Sequence, residues 1–301
     1  MAPPTHKRAP STSSLAAGKV VVVMGATGTG KSRLAIDLAL IFDGEVINCD
    51  KIQVYTALQV ISNKVTPAEA RGVAHHLLDI IDDPNEDFTA AEFVCRATKS
   101  ADAISGRARL PIITGGSNSF IEALVSDCRF RSRYECCFLW VDVSKKPVHL
   151  SHVKRRVDVM VGSGLVDEAR KFYGGDYARG VRRAIGVPEM DEYFWNEGSV
   201  EGEERARLLH SAVEEIKENT WWLVGRQLGK IHSMGERIGW ERVHMLDATE
   251  AFERWEVGDG TAAEAVWKAT VVEPSLWILS VFLGRDGESM GSGSGLGLGA
   301  T

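Results

Sequence analysis

No stretch of about 18 apolar residues occurs in this chain of 301; the greasiest segments, Lys19 to Met24 and Pro274 to Leu283, are too short and too interrupted to predict a transmembrane span. An excess of positive charge is missing as well. With 35 basic residues against 41 acidic ones the formal charge is −6, so no overall field draws the chain to a polyanion and a nucleic-acid coat protein is disfavoured. The five cysteines, Cys49, Cys95, Cys128, Cys136 and Cys137, show no Cys-x-x-Cys spacing. A reducing compartment and no structural zinc are therefore expected. His75 and His76 lack a third ligand at metal spacing and read as structural histidines. No period of about 20–50 residues recurs, which excludes a repeat array.

What remains is the composition of a folded chain: 44% hydrophobic and 25% charged residues, enough for one large or two modest domains. Residues 1–18 carry His6, Lys7, Arg8 and a Ser11–Ser14 cluster without an acid, and read as a disordered or targeting tail. Residues 288–301, mostly Gly, Ser and Leu, read as a flexible tail. Between them, residues 19–144 alternate strands and helices. Lys19 to Gly25 (KVVVVMG) is a β-branched run suited to a strand buried on both faces of a parallel sheet. Ser32 to Phe42 places Leu34, Leu38 and Ile41 on one helical face. Strands follow at Glu45 to Cys49, His76 to Ile81, Leu110 to Thr114 and Cys137 to Val143, with helices at Thr89 to Ser105 and Ser117 to Ser126. This pattern predicts an α/β fold, a P-loop NTPase-like parallel sheet with flanking helices. Residues 145–287 read as a largely helical second half completing the same unit, with helices at 147–162, 165–173, 188–195 and 203–233 and one extended segment at 242–246.

The chemistry is concentrated at the first strand–helix junction. Gly25-Ala26-Thr27-Gly28-Thr29-Gly30-Lys31-Ser32 satisfies G-x-x-x-x-G-K-[ST] between a predicted strand and a predicted helix. Such a loop turns backbone N–H groups toward an anion at a helix N-terminus, adds the Lys31 charge, and offers Ser32 as a Mg²⁺ ligand. Any diphosphate or triphosphate group fits that geometry. Asp50 ends the second strand, so it opens onto the same sheet edge as a candidate general base. From position alone it could equally cap a turn or hold a metal ion.

Several motifs follow in order. After the phosphate loop come Asn48-Cys49-Asp50-Lys51-Ile52-Gln53-Val54-Tyr55, His75-His76-Leu77-Leu78-Asp79, Phe88-Thr89-Ala90-Ala91-Glu92-Phe93 and Gly115-Gly116-Ser117-Asn118-Ser119. Arg155-Arg156-Val157-Asp158 and Arg183-Ala184-Ile185-Gly186-Val187-Pro188-Glu189 complete the set. Together they resemble the isopentenyltransferase family, most closely the plant adenylate isopentenyltransferases, over about Lys19 to Leu283. The related tRNA dimethylallyltransferases share the loop, the Asp and the Gly-Gly turn, but typically have Gly-Tyr-Arg-Gln where this chain has Gly186-Val187-Pro188-Glu189. The zinc finger of the eukaryotic ones is absent here.

The resemblance implies transfer of the dimethylallyl group of dimethylallyl diphosphate to N6 of ATP or ADP, with AMP also open, releasing pyrophosphate with Mg²⁺ as cofactor. It gives Asp50 the role of base, Thr27 a contact to the bridging oxygen, and Arg183 and Ser117 contacts to the donor phosphates; Ser117 also suits a helix N-cap. Arg226, Gln227 and Lys230 resemble a segment contacting the acceptor's phosphates, and Lys64 is a further polar contact to either substrate. Arg182 is left on the surface, and the eight tryptophans read as core or packing residues, with a prenyl pocket as the alternative for Trp221-Trp222. Modification of tRNA and small-molecule kinase activity stand as alternatives. The compartment is cytoplasm or plastid, and the oligomeric state is open.

Overall fold

The β-branched run of the first strand is what the sheet is built around. In the computed structural model, which describes residues 17–284, six strands pair in parallel: β1 Gly18–Met24, β2 Gly44–Asn48, β3 His75–His76, β4 Leu110–Thr114, β5 Tyr134–Asp142 and β6 Val243–Asp247. Their order is β3-β2-β4-β1-β5-β6. The expected tails lie outside the described residues apart from Ala17 and Gly18, and Gly18 already pairs with Tyr134. Val20, Val22 and Met24 enter one core while Val21 and Val23 enter the other, the alternation of a strand covered on both faces.

Twelve helices are described: α1 Lys31–Phe42, α2 Pro67–Ala70, α3 Ala90–Gly106, α4 Asn118–Ser126, α5 Cys128–Arg131, α6 Lys146–Gly162, α7 Leu165–Arg170, α8 Asp191–Asn196, α9 Gly202–Ile238, α10 Thr249–Glu256, α11 Gly260–Trp267 and α12 Glu273–Leu283. Thr89 opens α3 with a reciprocal capping box to Glu92. The first core joins β1 and β4 to Val157 of α6, Leu165 of α7 and Ile216 and Ile231 of α9, so the helical half shares its hydrophobic interior with the sheet.

Two strand expectations change. Of the 76–81 segment only His76 pairs with β2, together with His75 before it, because Leu77 and Asp79 take left-handed φ of 63° and 51° and turn the chain away. Conversely β5 starts earlier than Cys137, since Tyr134 to Cys136 pair with Gly18 to Val20. The structural reading of the histidines matches what is seen at His76. Its Nε2 meets Glu45 at 2.6 Å, beside Arg107 at 2.7 Å and Arg109 at 3.2 Å. Burial alone would raise the Glu45 carboxyl, but these partners hold it down at about 2.

The C-terminal segment departs most from the sequence reading. Gly260–Leu283 is continuous helix, 24 residues whose most apolar window has a mean hydropathy of 1.3, and by length and composition it meets the minimum for crossing a membrane. Lys268 and Glu273 had hidden it as an apolar run. Ala263, Trp267, Val271, Ser275 and Leu279 are nevertheless buried at a spacing of four, and Trp267, Val271 and Leu279 join the core on the α1 side of the sheet. A stripe at i+4 drifts by about 40° per step on an α-helix, and the π-helical turn at Lys268–Val272 takes up part of that drift.

Candidate active site

Strand order decides what meets at the C-terminal edge of the sheet. Because β4 lies between β2 and β1, the Gly115-Gly116 turn after β4 is wedged between Asp50 and the loop after β1. The wedge is tight. A Cβ on Gly115 would lie 2.2 Å from the Cys49 carbonyl, so only glycine fits there, and one on Gly116 would lie 2.9 Å from both Asp50 Oδ2 and Gln227 Nε2 and would push those two side-chain ends aside.

The loop from Gly25 to Ser32 forms the expected cradle. Gly28 and Gly30 hold left-handed φ of 80° and 84°, and Gly30 lies under the indole of Trp267, where a Cβ would approach to 2.6 Å. Thr29 is fully buried and its hydroxyl donates to Ala26 O at 3.0 Å, while Lys31 Nζ donates to the same oxygen at 3.2 Å. Burial, followed by the repulsion of Arg156, brings the Lys31 ammonium down to about 8 against the opposing pull of Asp50. Ser32 stays exposed, and its hydroxyl has no hydrogen-bond partner among the described residues. Gly30→Ala is expected to destabilise the protein by about 2–4 kcal/mol, from left-handed strain plus overpacking. Adding Trp267→Phe should restore part of the lost melting temperature; no recovery would show that the indole is not the obstacle.

Asp50 follows β2 by two residues. Its Oδ1 accepts the Ile52 N–H at 2.9 Å, which fixes the carboxylate plane and leaves Oδ2 beside Gly116. Ser117 occupies the N-cap position of α4, but its hydroxyl makes no cap bond; it accepts the Lys51 N–H at 3.0 Å instead. The expected capping role is thus replaced by a link between the two turns flanking Asp50. Asp50, Thr27, Lys31, Ser32, Ser117 and Arg183 all border one cavity of about 1410 Å³, whose apolar wall includes Ile61, Val157, Met160, Ile216 and Leu223.

A residue without a role in the sequence motifs borders the cavity as well. Arg156, from α6, donates to Thr27 Oγ1, and its Nε is out of contact with solvent and has no hydrogen-bond partner. Burial lowers its pKa and the Asp50 charge opposes this. Two groups of opposite sign therefore flank the phosphate loop, a carboxylate on the β2 side and a guanidinium on the helical side.

A model of the IPP transferase family matches residues 53–133 and 126–232. Adenylate isopentenyltransferase 5, chloroplastic, of Arabidopsis thaliana is 53% identical over 270 residues, covering 88% of this chain and 80% of that protein. The chain belongs to the IPP transferase family. It is a prenyltransferase by that membership. A second Arabidopsis thaliana relative, adenylate isopentenyltransferase 7, mitochondrial, is 46% identical over 275 residues, or 90% of this chain and 82% of that protein. Among solved structures, a eukaryotic dimethylallyltransferase acting on tRNA superposes with a TM-score of 0.74 at 21% identity, over 89% of this chain and 80% of that one, a likeness of fold.

Within this IPP transferase the other expected contacts divide. Arg226 and Lys230 are exposed on α9 and border the cavity, and Lys51 joins them. Burial first, then Arg183 and Arg226, lower the Lys51 pKa while Asp50 raises it. Arg183 also borders the cavity, but its guanidinium bonds Asp87 and its Nε donates to Gly180 O at 3.0 Å. Arg182 is half-buried and bonds Asn85, so it is less superficial than expected.

Lys64 does not serve as a substrate contact. Its buried ammonium uses all three N–H bonds, two to Tyr55 O and Ala57 O within the loop after β2 and one to Asp79 Oδ1 in the turn after β3, and it does not border the cavity. Gln227 borders the cavity, and each polar atom of its amide is bonded once to backbone, at Thr27 N–H and Gly116 O, which gives it a structural role beside the expected acceptor contact. Trp221 packs edge-on to His149 and Trp222 is 71% exposed, and neither lines the cavity; the apolar wall comes from other residues. The cysteines are free, and burial raises Cys136 and Cys137 to about 12, keeping them as thiols.

Proposed function

We propose that the protein transfers the dimethylallyl group of dimethylallyl diphosphate to the exocyclic N6 of ATP or ADP, releasing pyrophosphate, the reaction that begins cytokinin biosynthesis. The observation that carries this reading is the placing of Asp50 and the Thr27–Arg156 contact on opposite sides of one cavity floored by the phosphate loop. Adenine N6 is a weak nucleophile because its lone pair is delocalised into the ring. As N6 attacks the allylic carbon, the C–O bond breaks and its electron pair leaves with the pyrophosphate oxygen. The N6 proton goes to Asp50 Oδ2, a general-base contribution of about 10²–10⁴-fold. Charge growing on the leaving oxygen meets Thr27 Oγ1, Arg156 and Lys31, donors already in place before the bond breaks.

The cradle in this reading holds the donor diphosphate. Its Mg²⁺ would be held by the Ser32 hydroxyl, diphosphate oxygens and water, since no cluster of three His, Cys, Asp or Glu side chains occurs among the described residues. The ion would neutralise charge on the leaving group. Lys51, Arg226 and Lys230 form a cationic rim suited to more than one acceptor phosphate, which favours ATP or ADP over AMP. Product analysis tests the reading directly. Dimethylallyl diphosphate and Mg²⁺ with ATP, ADP, AMP or an RNA stem-loop in turn should yield N6-prenylated nucleotide and pyrophosphate. Prenylated RNA alone, or ADP from ATP without alkylation, would replace it by one of the alternatives.

Lys31 sets an alkaline limit. Its folded pKa of about 8 lies below the ordinary 10.5, so below pH 8 it is charged and available to the diphosphate, and above that it loses its proton in the free enzyme. The donor kcat/KM is expected to fall as pH rises beyond about 8. A flat profile to pH 10 would take Lys31 out of donor binding. The same depressed value means that the unliganded fold carries a cost below pH 8 which is relieved between about 8 and 10.5.

The acid-free, basic composition of residues 1–18 and the chloroplastic name of one relative support delivery to a plastid, and the mitochondrial name of another makes the mitochondrion the competing organelle. Fusion of those residues to a fluorescent protein would report this as plastid signal, against a diffuse cytoplasmic one.

A further inference from the structure

Thr27 is held at each of its polar atoms, and each partner comes from the helical half. Its hydroxyl accepts from Arg156. Its N–H donates to Gln227 Oε1 at 2.7 Å, and its carbonyl accepts from His149 Nε2 at 2.8 Å. The first of these backbone bonds pins the peptide plane before the Thr27 Cα, and the second pins the plane after it. Together they fix φ and ψ at Thr27, and hence the direction of its Cα–Cβ bond and of Oγ1. The next residue is Gly28 at φ 80°, a position with little intrinsic stiffness, so the aim of Oγ1 has to be imposed from outside the loop.

The two outside groups are themselves held. His149 is 1% exposed and packs edge-on against Trp221, and a bond to a carbonyl requires its proton on Nε2. Gln227 is buried, and its Nε2 donates to Gly116 O at 2.8 Å, so reversing the amide would set N–H against N–H and oxygen against oxygen. Gly116 is the residue beside Asp50 Oδ2. A single amide thus spans from the loop that grips the leaving group to the turn that flanks the base.

We propose that Gln227 and His149 are positioning residues, which aim Thr27 at the leaving oxygen and, through Gly116, hold the separation between Thr27 and Asp50. The inference rests on the reading of Thr27 as a contact to the departing diphosphate. Neither side chain needs to touch substrate. Each acts by removing a rotation that the loop would otherwise make, so its loss should appear in the chemical step more than in ground-state affinity.

A double-mutant cycle tests this. Gln227→Met is expected to lower kcat by at least about tenfold with the acceptor KM within about twofold, and in a Thr27→Val background the same substitution should lower kcat by less than about twofold. Equal factors in the two backgrounds would overturn the inference, as would a raised acceptor KM with kcat held, the mark of a direct nucleotide contact. If Thr27→Val alone leaves kcat at the unmodified level, the reading of Thr27 fails first and separately. Should Gln227→Met not fold, His149 carries the same test. His149→Gln keeps an N–H donor and should retain at least about fivefold more kcat than His149→Leu, whereas matching losses would overturn the proposal.

Discussion

Asp50→Asn is expected to lower turnover by at least about a hundredfold while donor and acceptor affinities change little, the scale of a lost general base. The substitution is chosen for what it preserves. Asparagine keeps an oxygen for the Ile52 N–H, now accepted at 2.9 Å by Oδ1, so the turn after β2 stays in place. It also keeps the space beside Gly116, where a side chain of another shape would meet the tightly packed turn. What it removes is an oxygen able to take the N6 proton. Pre-steady-state product formation at saturating substrates separates the chemical step from pyrophosphate release. Turnover within a few-fold of the unmodified enzyme would mean that the proton leaves by another route and that Asp50 is a structural carboxylate.

Arg156→Met is expected to cut kcat/KM for the donor by about 10²–10³-fold, the usual loss when one preplaced donor to a developing anion is removed. Its effect on the fold should be small or of opposite sign. Arg156 Nε has no partner, the guanidinium is held by a neutral hydroxyl, and its charge presses on Lys31. Such an arrangement costs stability in the free protein and is repaid only when phosphate oxygens arrive. The melting temperature of Arg156→Met should therefore equal or exceed that of the unmodified protein, and the stabilisation conferred by a diphosphate ligand should shrink. A variant that unfolds earlier, with its donor kinetics intact, would place Arg156 among the supports of the fold.

These expectations depend on groups that were unequally legible beforehand. The phosphate loop could be read because its function is local: eight consecutive residues supply the turn, the N–H groups, the charge and the hydroxyl, and the strand and helix on either side are the contexts that β-branched and amphipathic runs produce by themselves. Asp50 was legible as the end of a strand, although its role came from the motif around it. Arg156 was visible only as a letter in an ordered motif, since nothing in the spacing of α6 says that this turn of the helix faces Thr27 across 129 positions of chain. Lys64 and Gln227 misled for a related reason. A lysine and a glutamine near a site read as free polar groups until the distant atoms that hold them are placed.

Local sequence fixed the elements that carry their own hydrogen bonds and periodicity, namely the six-strand alternation, most of the helices and the anion cradle, because those depend on residues a few positions apart. The tertiary structure decided which strands are neighbours, and with that the wedge of Gly115-Gly116 between base and cradle. It also turned the interrupted apolar residues of Gly260–Leu283 into a buried stripe that sets Trp267 against Gly30. Long-range pairing has no local signature, since the free energy that selects it comes from apolar area and backbone groups satisfied only when distant segments meet.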